Sequence, residues 1–203
     1  MRKYNLNEYF FDELTENSSY WLGFLFADGS VRMKDGKSGE LRLKLKDTDK
    51  SHIEKFLKDI ECEKPIKCGI DNKSKYCSVT VYSNLLINRL FNLGCVNNKT
   101  QKIRLPKLDE SLIPHFIRGY FDGDGSISKV KNRPNSFSVT ICSNHKFNND
   151  IINLLGFGKE YKYENYSIIK INRIMDIMNF RDYIYKNAVT LLDRKLTKFK
   201  EIK

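Results

Sequence analysis

The chain contains one stretch twice. Residues 21–30 read Trp-Leu-Gly-Phe-Leu-Phe-Ala-Asp-Gly-Ser, and residues 117–126 read Ile-Arg-Gly-Tyr-Phe-Asp-Gly-Asp-Gly-Ser. The pairs Gly23/Gly119, Asp28/Asp124, Gly29/Gly125 and Ser30/Ser126 each lie 96 residues apart. Each copy reads as an apolar helix with small residues inside it, ending in Asp-Gly-Ser. A glycine inside a helix costs about 1 kcal/mol relative to alanine. Small residues four apart, Gly23 with Ala27 and Gly119 with Gly123, offset that cost by letting two helix backbones approach closely. Parallel packing of the two helices through these positions makes their C-termini meet. Asp28 and Asp124 then stand together at two ends whose dipoles are already negative. A cation relieves that repulsion, and a set of hard oxygen ligands suits Mg²⁺.

The order of elements around the two copies also repeats. The first helix is expected over about residues 20–28, with Asn17, Ser18 and Ser19 as N-cap candidates and Gly29 as its stop. Strands follow over 30–34 and 40–46, then a helix capped by Asp47-Thr48-Asp49. A hairpin spans 64–83, and a helix over 84–93 is closed by Gly94. Residues 97–110 are polar, basic and interrupted by Pro106, and read as a linker. The order then restarts: Ser111 as cap, Pro114 in the first turn, and the second helix ending at Asp124. Strands over 126–129 and 136–142, a helix over 145–155, strands near 159–163 and 166–171, and a mostly helical tail complete it. This predicts an α+β fold of two αββαββα repeats, residues 1–96 and 111–203, joined by residues 97–110.

The net charge of +11 favours a polyanionic partner. Residues 1–96 hold sixteen basic against fourteen acidic side chains, and residues 97–203 hold twenty against eleven. A polyanion is therefore expected to lie more heavily on the second half. The five cysteines are an odd number without a Cys-x-x-Cys pair, so reduced thiols are expected and no disulfide framework. The scattered His52, His115 and His145 suggest no zinc site. No basic-then-apolar leader or membrane-length apolar run opens the chain, so a soluble intracellular protein is expected.

Strict alternation over 40–46 places Leu41, Leu43 and Leu45 on one face and Arg42, Lys44 and Lys46 on the other, with Arg32 and Lys34 adjoining. A solvated strand face usually mixes signs. This one is nearly all cationic, as a polyanion-facing surface would be. In the strand over 76–82, Tyr76, Ser78, Thr80 and Tyr82 point outward by the same alternation. Ser136, Ser138 and Thr140 do so in the second half.

Both helix ends resemble the LAGLIDADG motif, and the repeated order of elements is similar to that of the LAGLIDADG homing endonucleases in their single-chain, two-motif form. The resemblance covers nearly the whole chain. It implies that Asp28 and Asp124 are metal ligands and that the carbonyls of Ala27 and Gly123 complete the shell. Two or three divalent ions would be Mg²⁺, with Mn²⁺ or Ca²⁺ as substitutes. Each repeat would form a curved antiparallel four-stranded sheet, and the two sheets a saddle over the DNA major groove. Arg32, Lys34, Arg42, Lys44, Lys46, Tyr76, Thr80, Ser138 and Thr140 would face the duplex. Such sites carry a lysine beside each scissile phosphate, and Lys99 and Lys195, again 96 apart, are the candidates.

The sequence departs from the motif at Phe26, where the second copy keeps Asp122, and at Arg118, which takes a small-residue position. Asp122 is expected to be a solvated carboxylate or one behind the ligands. An EF-hand reading of residues 122–133 fails, because Arg133 stands where the bidentate Glu is needed. The implied function is site-specific, metal-dependent hydrolysis of one phosphodiester in each strand by a monomer. Its double-stranded DNA target would be long and partly palindromic. The alternative is an intron-RNA maturase or a DNA-binding regulator that keeps the fold without cleavage.

Overall fold

The computed structural model describes residues 3–33, 38–96, 102–133 and 136–202. The first repeat comprises α1 (Glu16–Asp28), β1 (Gly29–Arg32), β2 (Glu40–Lys46), a 3₁₀ turn (Asp47–Asp49), α2 (Lys50–Asp59), β3 (Lys67–Asp71), β4 (Ser74–Tyr82) and α3 (Asn84–Asn92). The second comprises α4 (Ile113–Asp124), β5 (Gly125–Lys129), β6 (Phe137–Ser143), α5 (His145–Leu155), β7 (Lys159–Lys162), β8 (Ser167–Ile171), α6 (Ile174–Tyr185) and α7 (Asp193–Lys200). Each repeat builds one antiparallel four-stranded sheet, in the orders β1-β2-β4-β3 and β5-β6-β8-β7. The αββαββα reading therefore holds in both halves. Residues 102–112 form neither helix nor strand, and they are pinned to the second half. Arg104 makes two 2.7 Å contacts with Asp150, and Asn144 Nδ2 donates to the Ile103 carbonyl.

Helix α1 begins earlier than residue 20. Thr15 is its N-cap, and a reciprocal capping box with Ser18 closes the first turn. The expected cap Ser111 makes no such bond: α4 starts after Leu112 without a side-chain cap, with Pro114 in its first turn. Asp49 does not cap α2 either, because its carboxylate is engaged by Arg194. Gly29 does end α1, but not by a left-handed turn. Its φ is −74°, the chain passes straight into β1, and a Cβ there would lie 2.7 Å from the Leu25 carbonyl oxygen.

The seam between the halves is α1 against α4. A Cβ on Gly23 would overlap the carbonyl of Phe116, and one on Gly119 would overlap the carbonyl of Tyr20. A Cβ on Gly123 would overlap the side chain of Ala27. The contacts advance in the same direction along both helices, so the two run parallel and end side by side. Around the seam lies one continuous core, with Trp21, Phe24, Phe26, Phe116, Phe121 and Phe180 fully enclosed.

One cysteine expectation is overturned. Cys68 and Cys77 stand directly opposite each other in the β3–β4 ladder, with Cα atoms 4.1 Å apart, and form a disulfide. Cys62 and Cys142 are free thiols. No helix among the described residues is long and apolar enough to cross a membrane.

Candidate metal and DNA-binding site

The parallel seam delivers Asp28 and Asp124 to neighbouring helix ends, and both side chains are exposed there. Ala27 and Gly123, one residue earlier, are half-buried in the contact between the two helices. Neither helix has a basic residue in its last turn. Two carboxylates and two helix-end carbonyls are thus gathered where the dipoles add negative potential, and this donor set suits a hard divalent cation.

Lys195 reaches the same end from α7. Its ammonium donates to the carbonyl of Gly125, the residue after Asp124, and sits 5.3 Å from the Phe121 ring centre. The side chain is only 4% exposed. Burial, reinforced by the neighbouring Arg194 charge, lowers its pKa to about 8. Its repeat partner Lys99 lies outside the described residues, as does Lys34.

A cavity of about 330 Å³ opens beside Asp124, lined by Phe26, Ala27, Ile103, Tyr120, Cys142, Ser143 and Tyr166. The Tyr120 hydroxyl donates to the Cys142 carbonyl at 3.1 Å. Burial, with Asp124 nearby, holds the Tyr120 pKa well above the ordinary tyrosine range. The Cys142 thiol is raised by burial and by Asp124.

Asp122 is not solvated. It is fully buried and accepts hydrogen bonds from the Tyr20 hydroxyl at 2.8 Å, the Leu192 backbone N–H at 2.7 Å and the Tyr185 hydroxyl. Burial raises its pKa to about 6 despite these donors. Its partners come from α1 of the first half, from α6 and from the tail, so the carboxylate ties the halves together. The Tyr20 proton goes to Asp122, so His52 Nε2, 2.8 Å from the Tyr20 oxygen, carries the proton it donates there. That leaves His52 Nδ1 without a hydrogen-bond partner among the described residues.

Arg118 is the second tie. Its buried guanidinium donates to the carbonyls of Thr190 and Ile184, each at 2.9 Å, and to Glu16 of α1 at 2.9 Å. It also lies 2.8 Å from His115 Nδ1. Sequence spacing hid both ties, because most of their partners are distant in the chain.

The strand register fixes the outward faces. Arg32, Glu40 and Tyr82 form one row; Ser30, Arg42 and Thr80 the next; Lys44, Ser78 and Lys67 a third; Lys46, Tyr76 and Gly69 a fourth. All the described first-half residues expected on this face are there, although Ser78 is buried beneath its neighbours. Lys44 is held by Asp71 at 2.6 Å and lies 4.1 Å from the Tyr76 ring centre. The bond to Lys44 keeps the Asp71 carboxyl below the usual range.

In the second half, Ser138 pairs with Ser128, and Thr140 sits between Ser126 and Lys170, whose other neighbour is Lys159. Lys159 and Lys170 flank Tyr161, at 5.5 and 4.7 Å from its ring centre. The inward alternation of Ile169 and Ile171 is the signal that would have found Lys170. The weighting of charge differs from expectation. Five cations, Arg32, Arg42, Lys44, Lys46 and Lys67, lie in the first outward face, and Lys159 and Lys170 in the second. Much of the second half's excess charge sits instead in its loops and helices, at residues such as Arg104, Arg173, Lys198 and Lys200.

Two four-stranded antiparallel sheets around a parallel two-helix seam, each helix ending in an acid, make the fold of the LAGLIDADG homing endonucleases. The I-LtrWI LAGLIDADG homing endonuclease bound to target DNA superposes with a TM-score of 0.61 at 14% identity, over 93% of this chain and 89% of that one. The LAGLIDADG meganuclease I-CpaMI bound to uncleaved DNA gives 0.60 at 14% identity, over 93% and 90%. I-SmaMI bound to an uncleaved DNA target in the presence of calcium ions gives 0.56 at 14% identity, over 93% and 90%. At such identities the likeness is one of fold. No protein-family model matches the sequence. A curated protein, the replication factor C small subunit of Methanocaldococcus jannaschii, is 26% identical over 205 residues, 94% of this chain. The chain spans about a tenth of that protein's length.

Proposed function

We propose that the protein is a site-specific DNA endonuclease that cuts both strands of a long, partly palindromic duplex as a monomer, with one repeat, residues 1–96 or 111–203, on each half-site. The observation that carries this reading is the glycine seam. It sets Asp28 and Asp124 at one point between two outward sheet faces, the first strongly cationic. Fold neighbours bound to DNA targets support the choice of partner.

The residues present fit divalent cations. Asp28 and Asp124 would hold them, with the carbonyls of Ala27 and Gly123, and Mg²⁺ matches those oxygen donors. Bound there, such ions would lower the pKa of a coordinated water and stabilise the charge that develops on a phosphodiester. The remaining work falls to this chain's own side chains. Arg42, Lys46, Lys67 and Arg32 hold phosphates and base edges of one half-site, and Lys159, Lys170, Ser138 and Thr140 those of the other. Lys195, cationic below its pKa of about 8, presents a positive charge next to Asp124 where a scissile phosphate would gain negative charge.

The test is selection of cleaved duplexes from a random DNA library with Mg²⁺. The reading predicts a single long consensus with asymmetric halves, recovered only with the divalent ion. Binding of duplex without any metal-dependent cut would instead support a regulator or maturase.

A further inference from the structure

We propose that Asp49, in the first half, is a positioning residue for Lys195 in the site of the second. The proposal rests on the endonuclease reading above and extends it to how the two cuts are coupled.

The segment that carries Lys195 is fastened to the first half as well as to its own. Val189 N–H donates to Glu16 at 3.1 Å, and the Thr190 hydroxyl to Asn17 at 2.7 Å. Lys55 of α2 reaches the Leu191 carbonyl at 3.3 Å and the Asp193 carboxylate at 3.0 Å. The tightest clamp is next to Lys195 itself. Arg194 Nε lies 3.0 Å from both oxygens of Asp49, and its Nη2 lies 2.9 Å from Oδ2. Asp49 is 7% exposed, so this fork closes over a mostly buried carboxylate.

Helix α7 has eight residues and no side-chain N-cap. A helix that short does not hold itself in place in water, so its docking contacts set where it starts. Moving its first turn would move the adjacent Lys195, whose ammonium donates to the Gly125 carbonyl. The first repeat has Asn98 where the second has Arg194, so the residue next to Lys195 is not repeated there. Asp49 therefore bears on the cut that Lys195 serves.

The test uses the full chain and a cleavable duplex from the library selection, with each strand separately labelled. Asp49→Asn should slow the cut served by Lys195 by about tenfold or more, as expected for a misplaced charge, and should leave the other first cut within about twofold. Nicked product should accumulate, with duplex affinity unchanged. The charge swap Asp49→Arg with Arg194→Asp should restore the slowed cut to within about threefold. Equal slowing of both strands, or of neither, would overturn the proposal.

Lys195→Met separates this result from the reading beneath it. If Lys195→Met leaves both cuts unchanged, the catalytic assignment of Lys195 fails; if it slows one cut but Asp49→Asn does not, only the present inference fails. A readout without cleavage stands beside these. Acetylation of Lys195 by an amine-reactive ester, followed by mass spectrometry, should be about threefold faster or more in Asp49→Asn as α7 loosens. An unchanged rate would count equally against the proposal.

Discussion

Arg118 sits where helix packing asks only for a small side chain, and it does a different job. Its guanidinium donates to Glu16 of α1, to the Ile184 carbonyl of α6 and to the Thr190 carbonyl of the tail, so it holds three parts of the chain at once. Arg118→Met fills the same space but removes the donor to the Thr190 and Ile184 carbonyls and the charge facing Glu16, and should cost about 3 kcal/mol in urea unfolding. His52 makes a prediction about pH. Burial lowers its pKa from 6.5 to about 3, so below pH 6.5 the unfolded chain takes up a proton that the folded chain refuses. Stability is fully present above pH 6.5 and is lost as pH falls toward 3, at about 1.4 kcal/mol per pH unit for this one group. His52→Gln, whose amide can still donate to Tyr20, should unfold with a shallower dependence between pH 6.5 and 4.5. Thermal melts across that window would show it, and parallel curves would contradict the assignment.

At the level of elements, the glycine seam is the feature on which the rest depends. Gly119→Ala would drive a methyl group into the carbonyl of Tyr20, and neither backbone can yield without parting the helices. The expected loss is about 3 kcal/mol, at the upper end for overpacking. Gly156→Ala is the control. That residue has φ +73° with nothing within 4 Å of an added Cβ, so it should show only the backbone penalty of about 1 kcal/mol. Calorimetric melts of the two variants separate steric from conformational cost.

The seam was legible in the sequence because Gly23/Gly119 and Asp28/Asp124 recur at one spacing, and local alternation placed Leu41, Leu43 and Leu45 inside. Asp122 and Arg118 were not legible in the same way. Local spacing says nothing of Tyr185, Leu192 or Thr190, which only the folded tail brings to them. The Cys68–Cys77 bond was missed for a related reason. It depends on strand register, which counting cysteines does not reveal. Thr15 was passed over as a cap because the apolar run that marks the helix begins only at Tyr20.

Across the whole molecule the two outward faces are unequal: cations crowd the first sheet, while hydroxyls and a thiol occupy the centre of the second. Binding to duplex should therefore depend on salt chiefly through the first half. Arg42→Ala should lower the salt slope by about 1, read from affinities at several ionic strengths. Lys44 starts out engaged by Asp71, so Asp71→Asn should free it and tighten binding by about threefold at low salt. On the proposed reading, cutting between these faces requires a metal-dependent site at the helix ends, and a single experiment addresses that most directly. On a selected duplex with Mg²⁺, Asp28→Asn and Asp124→Asn are compared with the unaltered chain for binding and for cleavage of each strand. Binding within about threefold, together with loss of cleavage in the double variant, is the predicted result. Metal-dependent cutting that survives the double substitution would contradict the account.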